Sequence, residues 1–181
     1  MSDELLELGG DVLPGVGDDP TLAASGDGEP EQYLAFALAG ETFAVPVRHV
    51  REVLDLRKTA RIANAPPLLL GMIDVRGQGI PVIDLARKLA LPASGHSEHT
   101  RILVLEVGPS GRQLVIAAIV DAVHEVTQLA EAAIEPPPSF GEPWDASFMK
   151  GLGRRQGAFV TLLDLERLFR RDELELVAAA R

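Results

Sequence analysis

The chain carries an internal duplication, which restricts it to folds built from two similar units. Five residues recur 80 positions later in the same order, a regularity that composition alone does not produce. They are Gly71, Gly77, Asp84, Leu85 and Arg87, which recur as Gly151, Gly157, Asp164, Leu165 and Arg167. A second block recurs after 73 positions, with Val50, Glu52, Val53 and Leu56 matching Val123, Glu125, Val126 and Leu129. A long period that occurs twice predicts two similar lobes, because a solenoid needs at least three stacked repeats to bury its faces.

The charge of the chain is concentrated at its start. The 181 residues include 27 acidic and 17 basic side chains, which give a net charge of −10. Residues 1–31 contain nine of the acids and no lysine or arginine, so the rest of the chain, with 18 acids and 17 bases, is close to neutral. Because binding to a nucleic-acid backbone requires a basic surface, we expect no nucleic-acid partner.

The sequence has neither cysteine nor a segment suited to a membrane. Without cysteine the chain can form no disulfide and no thiolate metal site, which fits a reducing cytoplasm. Its first residues are acidic where a secretory signal would be basic, and its longest aliphatic run, residues 114–120, is too short to cross a bilayer. We expect a cytoplasmic protein without direct membrane insertion.

Composition divides the chain into two tails and a folded domain. Residues 1–31, rich in glycine, proline and uncompensated acids, are predicted to be a disordered tail, and 171–181 a C-terminal tail. The first tail contains an apolar cluster of Leu5, Leu6, Leu8, Val12 and Leu13. This cluster could form a short fraying helix, which composition favours, or it could dock on another surface. The folded domain is predicted over 32–170, with lobe one at about 32–91 and lobe two at about 100–170.

Short β-strands dominate the predicted domain. From Tyr33 onward apolar residues alternate with period two, and Gly40 and Glu41 then turn the chain into a second strand, which predicts a hairpin of half-buried strands. Further strands are predicted at 51–56, 71–75, 80–83, 101–107, 113–120, 124–129, 151–155 and 158–163. Because no long helix separates consecutive strands, we predict a mainly β fold of two small antiparallel barrels packed against each other.

Candidate catalytic and metal-binding residues are few. His96 and His99, with Glu98 between them, have a spacing that two metal ligands can use, but they lie in a linker without a third ligand on a rigid element. Asp84 and Asp164 could act as general acid and base, yet each precedes a predicted short helix, and helix capping explains both. The sequence contains neither a nucleophile elbow nor a phosphate-binding loop. We therefore predict no catalytic residue, no metal and no cofactor.

The two copies differ at one predicted turn. The first copy places Arg76 before Gly77, whereas the second has Arg154, Arg155 and Gln156 in the corresponding segment. Turn tips are exposed, because a buried loop leaves its backbone groups without partners. An arginine held at such a turn can bind a carboxylate on a partner helix through paired hydrogen bonds, or it can be a solvated side chain. Physical reasoning alone leaves both interpretations open.

Several segments together form a family pattern. In the first half they are 33–36 (YLAF), 43–47 (FAVPV), 50–53 (VREV), 61–66 (RIANAP), 71–77 (GMIDVRG) and 81–85 (PVIDL). In the second half they are 120–126 (VDAVHEV), 136–140 (PPPSF), 151–153 (GLG) and 162–164 (LLD). In this order and spacing, residues 32–170 resemble the CheW-type chemotaxis coupling proteins.

The resemblance implies a fold, a function and two sets of binding residues. The fold would be two five-stranded SH3-like barrels around a shared hydrophobic core, with short helices. The protein would be a non-enzymatic adaptor that couples methyl-accepting chemotaxis receptors to the regulatory domain of the histidine kinase CheA, in the cytoplasm at membrane receptor arrays. The receptor-binding residues would be Val50, Arg76, Gly77, Ala117 and Val123, and the kinase-binding residues would be Glu52 and Val53.

One departure from the family pattern and two alternative functions accompany this interpretation. The family commonly has Asn-Leu-Arg-Gly where this chain has residues 74–77, and the carboxylate of Asp74 could compete for the guanidinium of Arg76 and alter receptor choice. One alternative function is an adaptor of a chemosensory-like pathway that controls pili or a second-messenger enzyme. The other is an enzyme with an unfamiliar site near His96 and His99.

Overall fold

Ten β-strands and two short α-helices form the part of the chain that the computed structural model describes, residues 29–108, 113–139 and 145–170 with Glu173 and Glu175. The first copy contains β1 Glu31–Leu38, β2 Glu41–Pro46, β3 Val50–Asp55, β4 Leu69–Val75, β5 Gln78–Ile83 and α1 Leu85–Lys88. The second contains β6 Arg101–Val107, β7 Leu114–Val120, β8 Ala122–Leu129, β9 Met149–Arg155, β10 Ala158–Leu163 and α2 Leu165–Leu168. Short 3-10 helices lie at Val47–His49 and Glu131–Ala133. Most of the two predicted tails lies outside the described residues, and Glu31 already belongs to β1.

The strands form two five-stranded sheets. One sheet has the order β8-β1-β2-β10-β9, and the other has the order β3-β6-β7-β5-β4. Neighbouring strands are antiparallel, except that β2 pairs in parallel with β10 and β5 pairs in parallel with β7. The predicted mainly β fold with two five-stranded units and short helices is therefore confirmed.

Each sheet takes strands from both halves of the chain, so the predicted lobes at 32–91 and 100–170 do not match the sheets. β1 and β2 pair with β8, β9 and β10, whereas β3, β4 and β5 join β6 and β7. Exchanging each strand for its counterpart in the other copy converts one sheet order into the other. The repeat in the sequence identifies equivalent strands but not their partners, because every strand edge offers the same backbone donors and acceptors.

Three apolar clusters stabilise the two sheets. The largest contains Phe36 of β1 and Leu103 of β6, so it joins the sheets through a shared core, as predicted. A smaller cluster includes Tyr33 and belongs to the first sheet, and another includes Val104 and belongs to the second. Because successive side chains point to opposite faces of a strand, β1 and β6 are buried on both faces. β1 is therefore not the half-buried strand that the alternation suggested.

Equivalent hairpins turn through two residues with left-handed backbone conformations. Arg76 and Gly77 have φ angles of 53° and 81° between β4 and β5, and Gln156 and Gly157 have 50° and 81° between β9 and β10. Positive φ at both positions is typical of the turn whose twist matches that of the flanking strands. Glycine adopts this conformation without steric cost at the second position, which explains why Gly77 recurs as Gly157.

Gly71 and Gly151 recur because another backbone segment passes close to them. A Cβ atom at Gly71 would lie 2.3 Å from the carbonyl oxygen of Ala60, and one at Gly151 would lie 2.6 Å from that of Glu135. In each copy the passing segment forms a pair of 2.8 Å backbone hydrogen bonds with the residue that follows the glycine. The recurring glycines therefore allow a connector to pair with β4 and with β9.

Asp84 and Asp164 cap the two helices, as predicted. Their Oδ1 atoms accept hydrogen bonds from the backbone nitrogens of Arg87 and Arg167, at 3.0 and 3.1 Å. These bonds satisfy donors that the first turn of a helix leaves free, so the capping interpretation is confirmed.

Within the described ranges, no helix combines the length and the apolar character needed to cross a bilayer.

Candidate docking site

The predicted kinase-binding residues lie on β3, which is an edge strand of its sheet. β6 pairs with one side of β3, and the other side has no strand partner among the described residues. Val53 is 41% exposed on this strand, whereas Glu52 is partly buried. An edge strand with an exposed apolar side chain offers backbone hydrogen-bond groups and an apolar contact to a partner. The side chain of Val53 is therefore accessible to a docked partner.

Arg76 and Glu52 form an ion pair with two hydrogen bonds. Nη1 of Arg76 donates to Oε1 of Glu52 at 2.9 Å, and Nη2 donates to Oε2 at 2.8 Å. The side chain of Arg76 is 77% exposed and that of Glu52 is 18% exposed. Two parallel bonds hold a guanidinium in a defined orientation, so Arg76 is not a freely solvated side chain. A predicted receptor-binding residue and a predicted kinase-binding residue thus contact each other directly.

Asp74 does not compete for Arg76, contrary to the sequence prediction. Its Oδ1 accepts a hydrogen bond from the backbone nitrogen of Gly77 at 3.0 Å and so closes the turn. The side-chain oxygen of an asparagine can accept the same bond. Aspartate therefore adds a negative charge beside the turn without taking the guanidinium of Arg76 from Glu52.

The predicted apolar receptor-binding residues differ in their exposure. Val50 begins β3 and Val123 lies on β8, so these repeat counterparts occupy edge strands of different sheets, and both are half-buried against the shared core. Ala117 is 0% exposed on β7, where it pairs with Val82. A side chain without exposed surface cannot contact a docked partner, and the structure corrects the assignment of Ala117 to the receptor-binding surface.

The second copy contains an equivalent ion pair that the sequence did not reveal. Nε of Arg155 donates to Oε1 of Glu125 at 2.5 Å, and Nη2 donates to Oε2 at 2.7 Å. Chiefly because of the hydrogen bonding from Arg155, the pKa of Glu125 is lowered to about 2, and the same bonding raises the pKa of Arg155. The 80-residue repeat aligns Arg155 with Val75 and not with Arg76. The sequence contained one indication of this second ion pair, because Glu125 is the repeat counterpart of Glu52.

A family model and several known proteins match this chain. The family model described as CheW-like domain matches residues 32–173. The chain belongs to the CheW-like family. A chemotaxis protein CheW from Klebsiella aerogenes is 31% identical over 153 residues, which cover 84% of this chain and 90% of the relative. The crystal structure of the scaffolding protein TtCheW from Thermoanaerobacter tengcongensis is 32% identical, with a TM-score of 0.67, and the match covers 80% of this chain and 96% of that one.

This chain is also similar to a protein that is not named CheW. Protein FrzA from Myxococcus xanthus is 29% identical over 124 residues, which cover 68% of this chain and 75% of the relative. The predicted family and fold are confirmed by these matches, and so is the predicted function as a chemotaxis coupling protein. That function is better supported than the alternative output, because relatives that are 30–31% identical to this chain are named CheW, whereas FrzA is 29% identical.

Two exposed apolar residues of this CheW-like protein were not predicted as part of a site. Val126 is 50% exposed on β8, and Phe159 is 53% exposed on β10, with the guanidinium carbon of Arg154 at 4.5 Å from its ring centroid. Val126 is the repeat counterpart of Val53, so the duplication contained a signal for it. Phe159 had no such signal, because its counterpart is Gly79.

The histidines considered for metal binding lie at the surface of this CheW-like domain. His96 and His99 are exposed in the linker before β6, and Nε2 of His99 is 3.4 Å from Oε1 of Glu98. Nδ1 of His49 is 2.9 Å from the backbone oxygen of Glu106. In the described part of the chain, no three histidine, aspartate or glutamate side chains form a group that could hold a metal ion.

Proposed function

We propose that this CheW-like protein is a non-enzymatic adaptor that couples methyl-accepting chemotaxis receptors to the histidine kinase CheA. Its partners are the signalling tips of the receptors and the regulatory domain of the kinase. It works in the cytoplasm and is recruited to receptor arrays at the membrane. The ion pair between Arg76 and Glu52 is the single observation that carries this proposal.

The ion pair supports a mechanism of coupling because it joins the two proposed binding surfaces. Arg76 lies at the tip of the turn between β4 and β5, and Glu52 lies on the edge strand β3. An exposed ion pair contributes only about 0–1 kcal/mol to stability, so a carboxylate on a receptor helix can replace Glu52 as the partner of Arg76. Glu52 then presents an unpaired charge beside Val53 on the proposed kinase-binding strand. Receptor docking and kinase docking are coupled when one event changes the free energy of the other.

The shape and exposure of the surrounding residues also support docking at this surface. Gly77 is exposed beside Arg76 and carries no side chain, so a partner backbone can approach the turn closely. Val53 supplies exposed apolar area on β3, and Val50 is half-buried at the start of the same strand. Val123 on β8 extends the proposed receptor surface to the other sheet. Ala117 forms no part of this surface, because it is buried.

A calorimetric titration tests the proposal directly. The full chain is titrated with the CheA regulatory domain and, separately, with receptor signalling tips, and we expect both to bind. Arg76→Glu should weaken receptor binding about 10-fold or more, because a charge-assisted hydrogen bond contributes ~1.5–3 kcal/mol and a tenfold change corresponds to ~1.4 kcal/mol. Arg167→Glu is the matched control, since Arg167 is also exposed and also pairs with a carboxylate. Failure of the unmodified chain to bind either partner would reject the proposal.

The enzymatic alternative centres on His96 and His99. Both side chains are exposed in a linker, which does not hold reacting groups in a fixed geometry. We expect the double variant His96→Ala and His99→Ala to support receptor-controlled CheA activity at the level of the unmodified chain in a reconstituted assay. A loss of activity with unchanged partner binding would favour the enzymatic alternative.

The similarity to FrzA supports a second candidate function, an adaptor of a chemosensory-like pathway that controls pili or a second-messenger enzyme. The same docking surface serves both candidates, so only the partners differ. Side-by-side titrations with the receptor and kinase of each pathway distinguish them. Preference for a kinase outside the flagellar pathway would favour this second candidate.

A further inference from the structure

A group of basic side chains lacks acidic partners among the described residues. Most described lysines and arginines form an ion pair with a described carboxylate. The exceptions are Arg57, Lys58, Arg61, Arg87 and Arg170. The first three lie on the connector between β3 and β4, and Arg87 lies on α1. Arg57 donates only to a backbone carbonyl, that of Asp74 at 3.0 Å. Four positive charges without an acidic partner in the described part of the chain therefore lie on the connector and the helix beside it.

Arg61 and Arg87 line a groove of about 650 Å³. Most of the other residues that line the groove are apolar, among them Ile62, Pro66 and Leu70, and Leu70 is one of the exposed large apolar side chains of the domain. Asp84 also lines the groove, but its Oδ1 accepts the capping hydrogen bond from the backbone of α1. A groove lined by apolar residues and by two arginines fits a peptide that carries both leucines and carboxylates.

We propose that residues 4–13 of this chain bind in the groove lined by Arg61 and Arg87. This segment has the sequence ELLELGGDVL and contains three acids, five large apolar residues and no base. Its carboxylates supply the anions that the connector and α1 lack, and its leucines and valine cover the apolar part of the groove. The inference goes beyond the proposed adaptor function and does not depend on it.

The chain between this segment and the domain is long enough for such contact. Residues 14–28 reach about 50 Å when extended, at ~3.3–3.6 Å per residue. A domain of this size has a radius of gyration of about 15 Å, so the segment reaches any face of it. Linkage within one chain gives an effective concentration that reaches the millimolar range for short connections, at which modest contacts suffice for binding. The bound segment occupies Arg61 and Arg87 and excludes any acidic partner from the same groove.

A paramagnetic label tests the proposal on the full chain. The sequence contains no cysteine, so Gly10→Cys introduces a single attachment point for a nitroxide. In the ¹⁵N-labelled protein, we expect the backbone amide signals of Ala63, Leu70 and Arg87 to lose most of their intensity. Chemical reduction of the nitroxide should restore these intensities. Absence of broadening at the groove would overturn the proposal.

A mixed sample separates binding within one chain from binding between two copies. Nitroxide-labelled chains without ¹⁵N are mixed with ¹⁵N chains without nitroxide. The proposal requires that the groove signals keep their intensity in this mixture. Broadening as strong as in the singly labelled chain would show that the segment of a second copy occupies the groove, and would overturn the proposal.

Charge reversal of the groove tests the role of its arginines. We expect the double variant Arg61→Glu and Arg87→Glu to abolish the broadening, whereas Arg167→Glu should leave it unchanged. Both arginines are exposed, and the capping bond at Arg87 uses its backbone, so the melting temperature should stay close to that of the unmodified chain. The milder pair Arg61→Gln and Arg87→Gln should reduce the broadening. Broadening that is insensitive to all of these changes would overturn the charge-based assignment.

Discussion

The guanidinium of Arg76 reaches from the turn between β4 and β5 to Glu52 on β3, through hydrogen bonds of 2.9 and 2.8 Å. β3 and β4 are the two outer strands of their sheet, and β8 and β9, which carry Glu125 and Arg155, are the outer strands of the other. Each sheet therefore has an arginine and a glutamate that connect its two edges through side chains. The ion pair between Arg76 and Glu52 joins the proposed receptor and kinase surfaces, which gives rise to the first prediction.

Exchanging the charges of the first ion pair separates its structural role from its binding role. The double variant Glu52→Arg and Arg76→Glu can re-form an ion pair, so we expect a melting temperature close to that of the unmodified protein. Receptor binding should stay weak in calorimetry, because the turn now presents a carboxylate to the receptor. Full recovery of receptor binding in the double variant would show that Arg76 acts only by supporting the fold.

Replacing Gly71 or Gly151 with alanine should destabilise the fold. The new Cβ atoms would lie 2.3 Å from the oxygen of Ala60 and 2.6 Å from that of Glu135, so the connectors must move away. We expect a loss of about 1–3 kcal/mol in the free energy of unfolding, measured by urea denaturation. The control is Gly95→Ala, where no atom lies within 4 Å of the added Cβ. Equal stability of Gly71→Ala and Gly95→Ala would contradict the explanation that glycine recurs at positions 71 and 151 because a connector passes close to it.

Enlarging Ala117 tests its placement in the core. Ala117→Leu adds three carbon atoms at a fully buried position of β7, and we expect a loss of about 1–3 kcal/mol in urea denaturation from overpacking. Ala158→Leu, at an exposed position of β10, should change stability by no more than about 0.5 kcal/mol. A variant at position 117 that keeps its stability but loses receptor binding would restore the original assignment of this residue to the docking surface.

The ion pair between Arg155 and Glu125 predicts an acid-dependent contribution to stability. The pKa of Glu125 is lowered from 4.5 to about 2, because Arg155 donates hydrogen bonds to its charged form. A carboxyl with a lower pKa in the folded state stabilises the fold above the unfolded pKa, and that stabilisation is lost as the pH falls from about 4.5 through about 2.

Comparison with a variant isolates this contribution. We expect Glu125→Gln to be less stable than the unmodified protein at neutral pH, with a difference that shrinks between pH 4.5 and 2. Denaturation at a series of pH values measures the difference, and Glu166→Gln, at an exposed position of α2, controls for the loss of one charge. A difference that does not depend on pH would contradict the role of the Arg155 hydrogen bonds.

Local elements were predictable from the sequence because their causes are local. The prediction of a strand at 101–107 matches β6, since a continuous apolar run bounded by polar residues has few other solutions. Asp84 and Asp164 were predicted as caps because an aspartate before a short apolar segment can satisfy the free donors of a helix. The turn that contains Arg76 was also predictable from a local cause, because Gly77 adopts the positive φ angle that the turn requires.

The sequence by itself determined the duplication, the strand positions, the helix caps and the family to which the chain belongs. Only the tertiary structure decided which strands pair across the copies, that Ala117 is buried, and that Glu52 and Glu125 each hold an arginine. The physical reason is that backbone hydrogen bonding is the same for every residue, so pairing depends on how whole apolar faces pack together. Contacts between residues distant in the chain, such as Arg76 with Glu52, exist only once that packing is complete.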